Sequence, residues 1–145
     1  MAIKKKPNQG WLDFLSYRYE ELVSCERIPY ILLKPRMIPE APGVYLITAR
    51  NSRYEDIYYV GRTKNLRQRV YKNHLMGGLS SARLKKYLIK DIELTGVKDK
   101  YDAKEFIKVN CYVRWIEEED MRNRAAIEGY TTGLLFPKYG IYEEH

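Results

Sequence analysis

The 145-residue chain carries 26 lysines and arginines against 19 acids, a net charge of +7, and is 45% apolar and 31% charged, which describes one soluble globular domain with a core of its own. No run approaches the ~20 apolar residues of a membrane span, and Cys25 and Cys111 are far apart and lack zinc-ligand spacing, so reduced core thiols are expected. A charged N-terminus without an apolar leader points to the cytoplasm, and the basic excess to a polyanionic partner.

In chain order, the first predicted element is a helix in "GWLDFLSYRYEELVS", where Trp11, Leu15, Tyr19 and Leu22 share one face. Four prolines between Pro29 and Pro42 then forbid a continuous helix. Residues 1–39 therefore read as a helix followed by a proline-rich connector, and residues 40–145 as the main domain. "GVYLITA" and "DIYYVG" read as an antiparallel hairpin. Thr63 or Asn65 caps a helix running to about Leu75, with Leu66 and Val70 buried, and Gly77 and Gly78 stop it.

"SSARLKKYLIKDIELTG" predicts a second helix from serine to glycine with Leu84, Leu88 and Ile92 aligned. Asp102 and Glu105 have capping-box spacing for a short third helix. In "FIKVNCYVRWI", Val109, Cys111, Val113 and Trp115 alternate as on a third strand. The last helix spans Glu118 to Phe136, with acids at its N-terminus and Pro137 at its end. The expected fold is α+β: a three-stranded antiparallel sheet flanked by helices, with an N-terminal helical extension.

Chemistry concentrates in three places. From Arg62 to Lys90 there are nine basic residues and no acid, which suits a phosphate-tracking surface built from Arg62, Lys64, Arg67, Lys72, Arg83, Lys85 and Lys86. Solvated helix faces are the simpler alternative. On the last helix, Met121, Ala125, Glu128, Thr132 and Leu135 form a stripe that places a carboxylate among small and apolar groups. Such a group needs a base, hydrogen bonds or a cation, and a salt bridge to an arginine is the structural option. Tyr45 and Tyr59 lie on adjacent strands, although with fourteen tyrosines against three phenylalanines packing is the commoner role. Arg69, beside buried Val70, is placed to be held rigidly, as bidentate phosphate recognition requires.

Taken together, "GVY" and "YVG" resemble the two namesake motifs of the GIY-YIG nuclease family, with valine for isoleucine in each. "YVGRTKNLRQR" is similar to the family's stretch leading to its catalytic arginine, here Arg69, and "RAAIEGYTTGLLFPKYG" aligns Glu128 with its metal-binding glutamate. The resemblance covers about Pro39 to Tyr142, and the expectation is a small stand-alone member without the DNA-targeting module of the family's homing enzymes. Two positions depart from it. Asn73 stands where the family often has histidine, with His74 one residue further on, and Gly140 stands where an asparagine is common.

The resemblance implies a divalent-metal-dependent endonuclease that hydrolyses phosphodiester bonds, with DNA ahead of RNA as substrate. Glu128 would hold Mg²⁺ or Mn²⁺, and Arg69 would balance phosphate charge. Tyr45 would act as general base or water holder with Tyr59 positioning it, and His74 is the other proton carrier. A tyrosine base at neutral pH calls for nearby cations to lower its pKa, and Arg62, Lys64 and Arg69 are placed to do so. The alternatives are a catalytically silent nucleic-acid-binding module and a structural protein that homodimerises through the Trp11 helix.

Overall fold

The computed structural model describes residues 8–78 and 83–140. Its centre is the predicted hairpin: β-branched and aromatic residues form β2 (Gly43–Arg50) and β3 (Glu55–Thr63), paired antiparallel from Gly43↔Thr63 to Arg50↔Glu55. β4 (Cys111–Glu117) pairs with the other edge of β2. The sheet has four strands where three were expected, because Ile28–Pro29 (β1) in the connector adds to β4, giving the order β1-β4-β2-β3. Proline donates no N–H, and an edge strand is where that is tolerated. Two short 3₁₀ turns, Tyr30–Leu32 and Pro35–Met37, carry the chain onward to β2.

The sheet divides two cores. On one face Val44, Leu46, Val60 and Ile116 pack against Leu15 and Leu22 of α1 (Gln9–Ser24) and Ile127 of α5 (Met121–Leu135). α1 starts where predicted, with the Asn8 side chain accepting from the Trp11 N–H at 3.3 Å. Leu15 and Leu22 carry its burial, Tyr19 stands edge-on to Tyr130, and Trp11 stays partly exposed. On the opposite face Tyr45, Ile47, Tyr59 and Val113 meet Leu66 and Val70, Leu84 and Leu88 of α2 (Arg83–Lys90), and Ile107 of α4 (Lys100–Asn110).

Four helical expectations change. The helix over 67–73 is a π-helix, Arg67–Asn73, with consequences for the site. The second helix ends at Lys90. A separate turn, α3 (Ile92–Thr95), follows and closes at Gly96 in the left-handed region (φ 72°), so Ile92 is exposed and does not extend the Leu84–Leu88 face. The serine start predicted at Ser80 and Ser81 falls outside the described residues. α4 begins two residues before Asp102, capped by Asp99, which accepts from the Tyr101 and Asp102 N–H groups. It runs on to Asn110, so residues 106–110 are helix and not strand, and Val109 is exposed. Ala103 and Ile107, one turn apart, bury instead. On α5 the buried positions are Arg124, Ile127 and Thr131, so the stripe from Met121 to Leu135 flanks the core contact and Met121 is exposed.

A register shift between Ile47 and Thr48 leaves Tyr58 without a cross-strand partner, so Tyr58 and Tyr59 both reach the second core. Past α5, the N–H groups of Lys138 and Tyr139 donate to the Ile57 and Tyr58 carbonyls at 2.9 and 3.0 Å, along the outer edge of β3.

Candidate active site

The hairpin register sets Tyr45 opposite Gly61 and Ile47 opposite Tyr59, which puts both tyrosines on one face. Their rings are stacked at 6.0 Å between centroids. The Tyr45 ring lies across the backbone of Gly61, where a Cβ would sit 2.4 Å from the tyrosine hydroxyl. Any side chain at position 61 would evict Tyr45.

His74 completes this group, edge-on to Tyr45 at 5.4 Å and to Tyr59 at 5.1 Å, with its Nε2 2.7 Å from the Tyr45 hydroxyl. The π-helix is what brings it there. The His74 N–H donates to the Arg69 carbonyl, and the Met76 N–H to the Tyr71 carbonyl, both five residues back at 3.0 Å. The wider turn lets a residue five positions after Arg69 stand where one four positions after it would stand on an α-helix. His74, one residue beyond Asn73, is thereby the residue that faces the Tyr45 hydroxyl. Of the two predicted caps, Asn65 reaches into the helix, accepting from the Gln68 N–H at 3.1 Å, while Thr63 closes the turn before it.

Burial governs the electrostatics. His74 is fully buried, and its Nδ1 has no hydrogen-bond partner among the described residues. Desolvation, then the charges of Arg69, Arg83 and Lys85, push its pKa down to about 3, so the ring is neutral. The Tyr45 hydroxyl is held well above its ordinary value of 10, by burial and then Tyr59, and the opposing charge and hydrogen bond of Arg69 do not win. The expectation that surrounding cations lower the Tyr45 pKa is therefore reversed: low dielectric costs the phenolate more than one guanidinium returns.

Glu128 projects from α5 toward the same place, with a side chain 28% exposed. Its carboxyl is raised above the usual range, by burial ahead of the opposing charge of Arg62. The salt-bridge alternative is realised loosely, with Arg62 Nη1 3.7 Å from Glu128 Oε1 and the arginine half-exposed. Tyr45, Tyr59, Gly61, Arg62, Arg69, Arg83 and Glu128 line one cavity of about 220 Å³. It shares Arg62 and Arg69 with a larger cleft of about 470 Å³, lined also by Thr63, Lys64, Gln68, Asn73, Met121 and Arg124.

The basic residues separate by environment. Arg62, Lys64, Arg69 and Arg83 line these clefts, and Lys72 and Lys86 are exposed. Arg67 is occupied elsewhere, its Nε donating to the Ile38 carbonyl at 2.8 Å and its Nη1 meeting Glu40 at 3.0 Å. Lys85 is 2% exposed and donates to the Gly77 carbonyl at 2.8 Å, so its ammonium does not stand on the surface with Lys86. Gly140 adopts φ 101°, and a Cβ there would come within 2.8 Å of the Tyr59 ring, so an asparagine has no room.

Two site residues escaped the sequence reading. Gly61 was seen only as a motif letter, although a glycine opposite a buried aromatic in a hairpin is the available signal. Arg124 is buried, and its Nη1 donates to the Glu118 and Glu119 carbonyls at 3.1 and 2.7 Å, fixing the loop into α5. Nothing in its spacing distinguishes it from Arg122.

Among the described residues no three His, Cys, Asp or Glu side chains gather as a metal cage. Glu128 alone, desolvated and facing a cavity with room for water, fits a hard cation that keeps several waters and takes its other ligands from phosphate. Among the described residues no helix is long and apolar enough to cross a membrane.

Compared with known families, residues 41–127 match the family model described as the GIY-YIG catalytic domain. Curated proteins and solved structures give no match.

Proposed function

Since the chain belongs to the GIY-YIG nuclease family, for which nucleic acid is the substrate class, we propose that it is a divalent-metal-dependent endonuclease cutting phosphodiester bonds, with DNA as its substrate. The observation that carries this reading is the single cavity shared by Tyr45, Arg69, Arg83 and Glu128.

Arg69 and Arg83 take the non-bridging oxygens of the phosphodiester, and their charge counts most where negative charge grows in the transition state. Tyr45, un-ionised, works as a hand-off and not as a phenolate. Its oxygen receives the proton of the attacking water while its own proton passes along the 2.7 Å contact to His74 Nε2. A new bond forms from the water oxygen to phosphorus, and the bond from phosphorus to the leaving oxygen breaks. Burial first, and then the charges of Arg69, Arg83 and Lys85, oppose a charged His74 in the free protein, and a phosphodiester against Arg69 and Arg83 offsets the second of these causes. Tyr59 packs against both rings and fixes their angle. Bound at Glu128, Mg²⁺ or Mn²⁺ would supply positive charge to the scissile phosphate and the leaving oxygen.

The test is Mg²⁺-dependent cleavage of labelled DNA by the wild type and by Glu128→Ala. Equal digestion by both would assign the activity to a contaminant and sink the reading. The Arg62 contact favours a second reading, a silent nucleic-acid-binding module, because it partly neutralises Glu128 without a metal. A Mn²⁺ titration separates the two: the nuclease binds Mn²⁺ and loses that binding in Glu128→Gln, whereas the silent module shows no difference.

A further inference from the structure

We propose that the first two turns of α4 are a nucleic-acid contact, in which Lys100 and Lys104 take backbone phosphates of the strand that leaves the site past Arg83. This rests on the reading of the site as nucleic-acid-binding and extends the interface beyond the basic window of the sequence.

The path is set by packing. Arg83 opens α2 and lines the site cavity, and α2 lies against α4, with Leu84 and Leu88 sharing a core with Ala103 and Ile107. Two residues after Arg83, Lys85 is buried with its ammonium on the Gly77 carbonyl, within electrostatic reach of Lys100 and Lys104. Burial and then those two lysines push the Lys85 pKa down to about 8. Lys100 and Lys104 thus crowd a buried third lysine at a cost to the free protein, and a polyanion laid across these two offsets that cost.

The acids of α4 do not relieve the crowding, since each is engaged locally. Asp99 caps the helix, Asp102 accepts from the Lys98 N–H at 3.2 Å, and Glu105 pairs with Lys108 at 4.0 Å. Among the described residues Lys100 and Lys104 have no ion pair. Lys100 stands with its ammonium 5.2 Å from the centroid of Tyr101, a ring 70% exposed, which holds the charge at the surface. The sequence conceals this patch because Asp99, Asp102 and Glu105 cancel its formal charge.

The test measures binding without cutting, by fluorescence anisotropy of end-labelled duplex DNA in EDTA across a salt series, for the wild type and the double variant Lys100→Gln/Lys104→Gln. Losing two phosphate contacts should reduce the slope of log K against log salt by about 2. The same variant without DNA should melt at a higher temperature, because the charges crowding Lys85 are gone. A wild type that binds, with an unchanged slope in the variant, overturns this proposal and leaves the site reading standing. A variant that binds weakly and also melts lower makes the lysines structural and overturns it too. A wild type that binds no DNA removes both this proposal and the reading beneath it.

Discussion

Two glutamates, Glu55 at the turn end of the β2–β3 hairpin and Glu128 of α5 against Arg62 near its other end, have opposite environments. At the turn end, Glu55 receives Arg114 Nη1 and Nη2 at 2.8 and 3.0 Å and also meets Arg27 and Thr48. Its carboxyl is lowered to about 2, the hydrogen bonds from Arg114 being the largest cause. At the other end, Glu128 has one arginine at 3.7 Å, and its carboxyl is raised by burial. Both side chains are only partly exposed, so geometry makes the difference: a two-pronged contact repays desolvation and a single long one does not. One carboxylate is a joint of the fold. The other is left with one long ionic contact, in a cavity lined by Arg62, Arg69 and Arg83.

The sharpest break in this contrast is Glu128→Gln. Cleavage should fall by at least about 10³-fold while the fold persists, with a melting temperature no lower than wild type. A melting temperature reduced by many degrees would make Glu128 structural and equate the two ends. Arg69→Lys keeps the charge and loses the fork, so kcat should drop about 10²-fold with KM little changed. A rise in KM alone would confine Arg69 to ground-state binding.

Glu55→Gln should do the reverse of Glu128→Gln, costing about 3 kcal/mol in denaturant unfolding and leaving the specific activity of folded protein unchanged. The pH dependences also run in opposite senses. Because the Glu55 carboxyl is lowered on folding, its stabilisation is complete above its ordinary value of 4.5 and is lost as pH falls toward about 2. The gap between wild type and Glu55→Gln should close over that window. The Glu128 carboxyl is raised, so ionisation at neutral pH costs stability, and any advantage of Glu128→Gln should fade as pH falls through the carboxylate range. Parallel acid profiles for the two variants would refute the contrast. The smallest effect belongs to Arg62→Gln, where a half-exposed pair should be worth less than about 1 kcal/mol by the same unfolding measurement.

Much of this was legible along the chain because it is local. The hairpin follows from two β-branched runs, and Tyr45 and Tyr59 share a face because side chains alternate in strands. Glu128 stands out in the sequence by a stripe that is not the buried face of α5, yet burial by the surrounding protein desolvates it all the same. What stayed hidden depends on contacts between distant segments. Residues 106–110 alternate as a strand does, but Asp99 and the burial of Ala103 and Ile107 commit them to helix. Lys85 reads as surface charge until its buried ammonium is found on the Gly77 carbonyl. The π-helix leaves no mark in composition, and its effect appears only when His74 is found against the Tyr45 hydroxyl.

The short segment after α5 bears on how the molecule behaves among its own copies. β3 is an outer strand of the sheet, and its Ile57 and Tyr58 carbonyls would offer a template for a foreign strand were they not already taken by the Lys138 and Tyr139 N–H groups. The opposite margin is protected by brevity, since β1 is two residues long and one of them is proline. A chain cut before Lys138 keeps its site residues and loses that guard, and self-association through an uncovered β3 is the hazard it inherits.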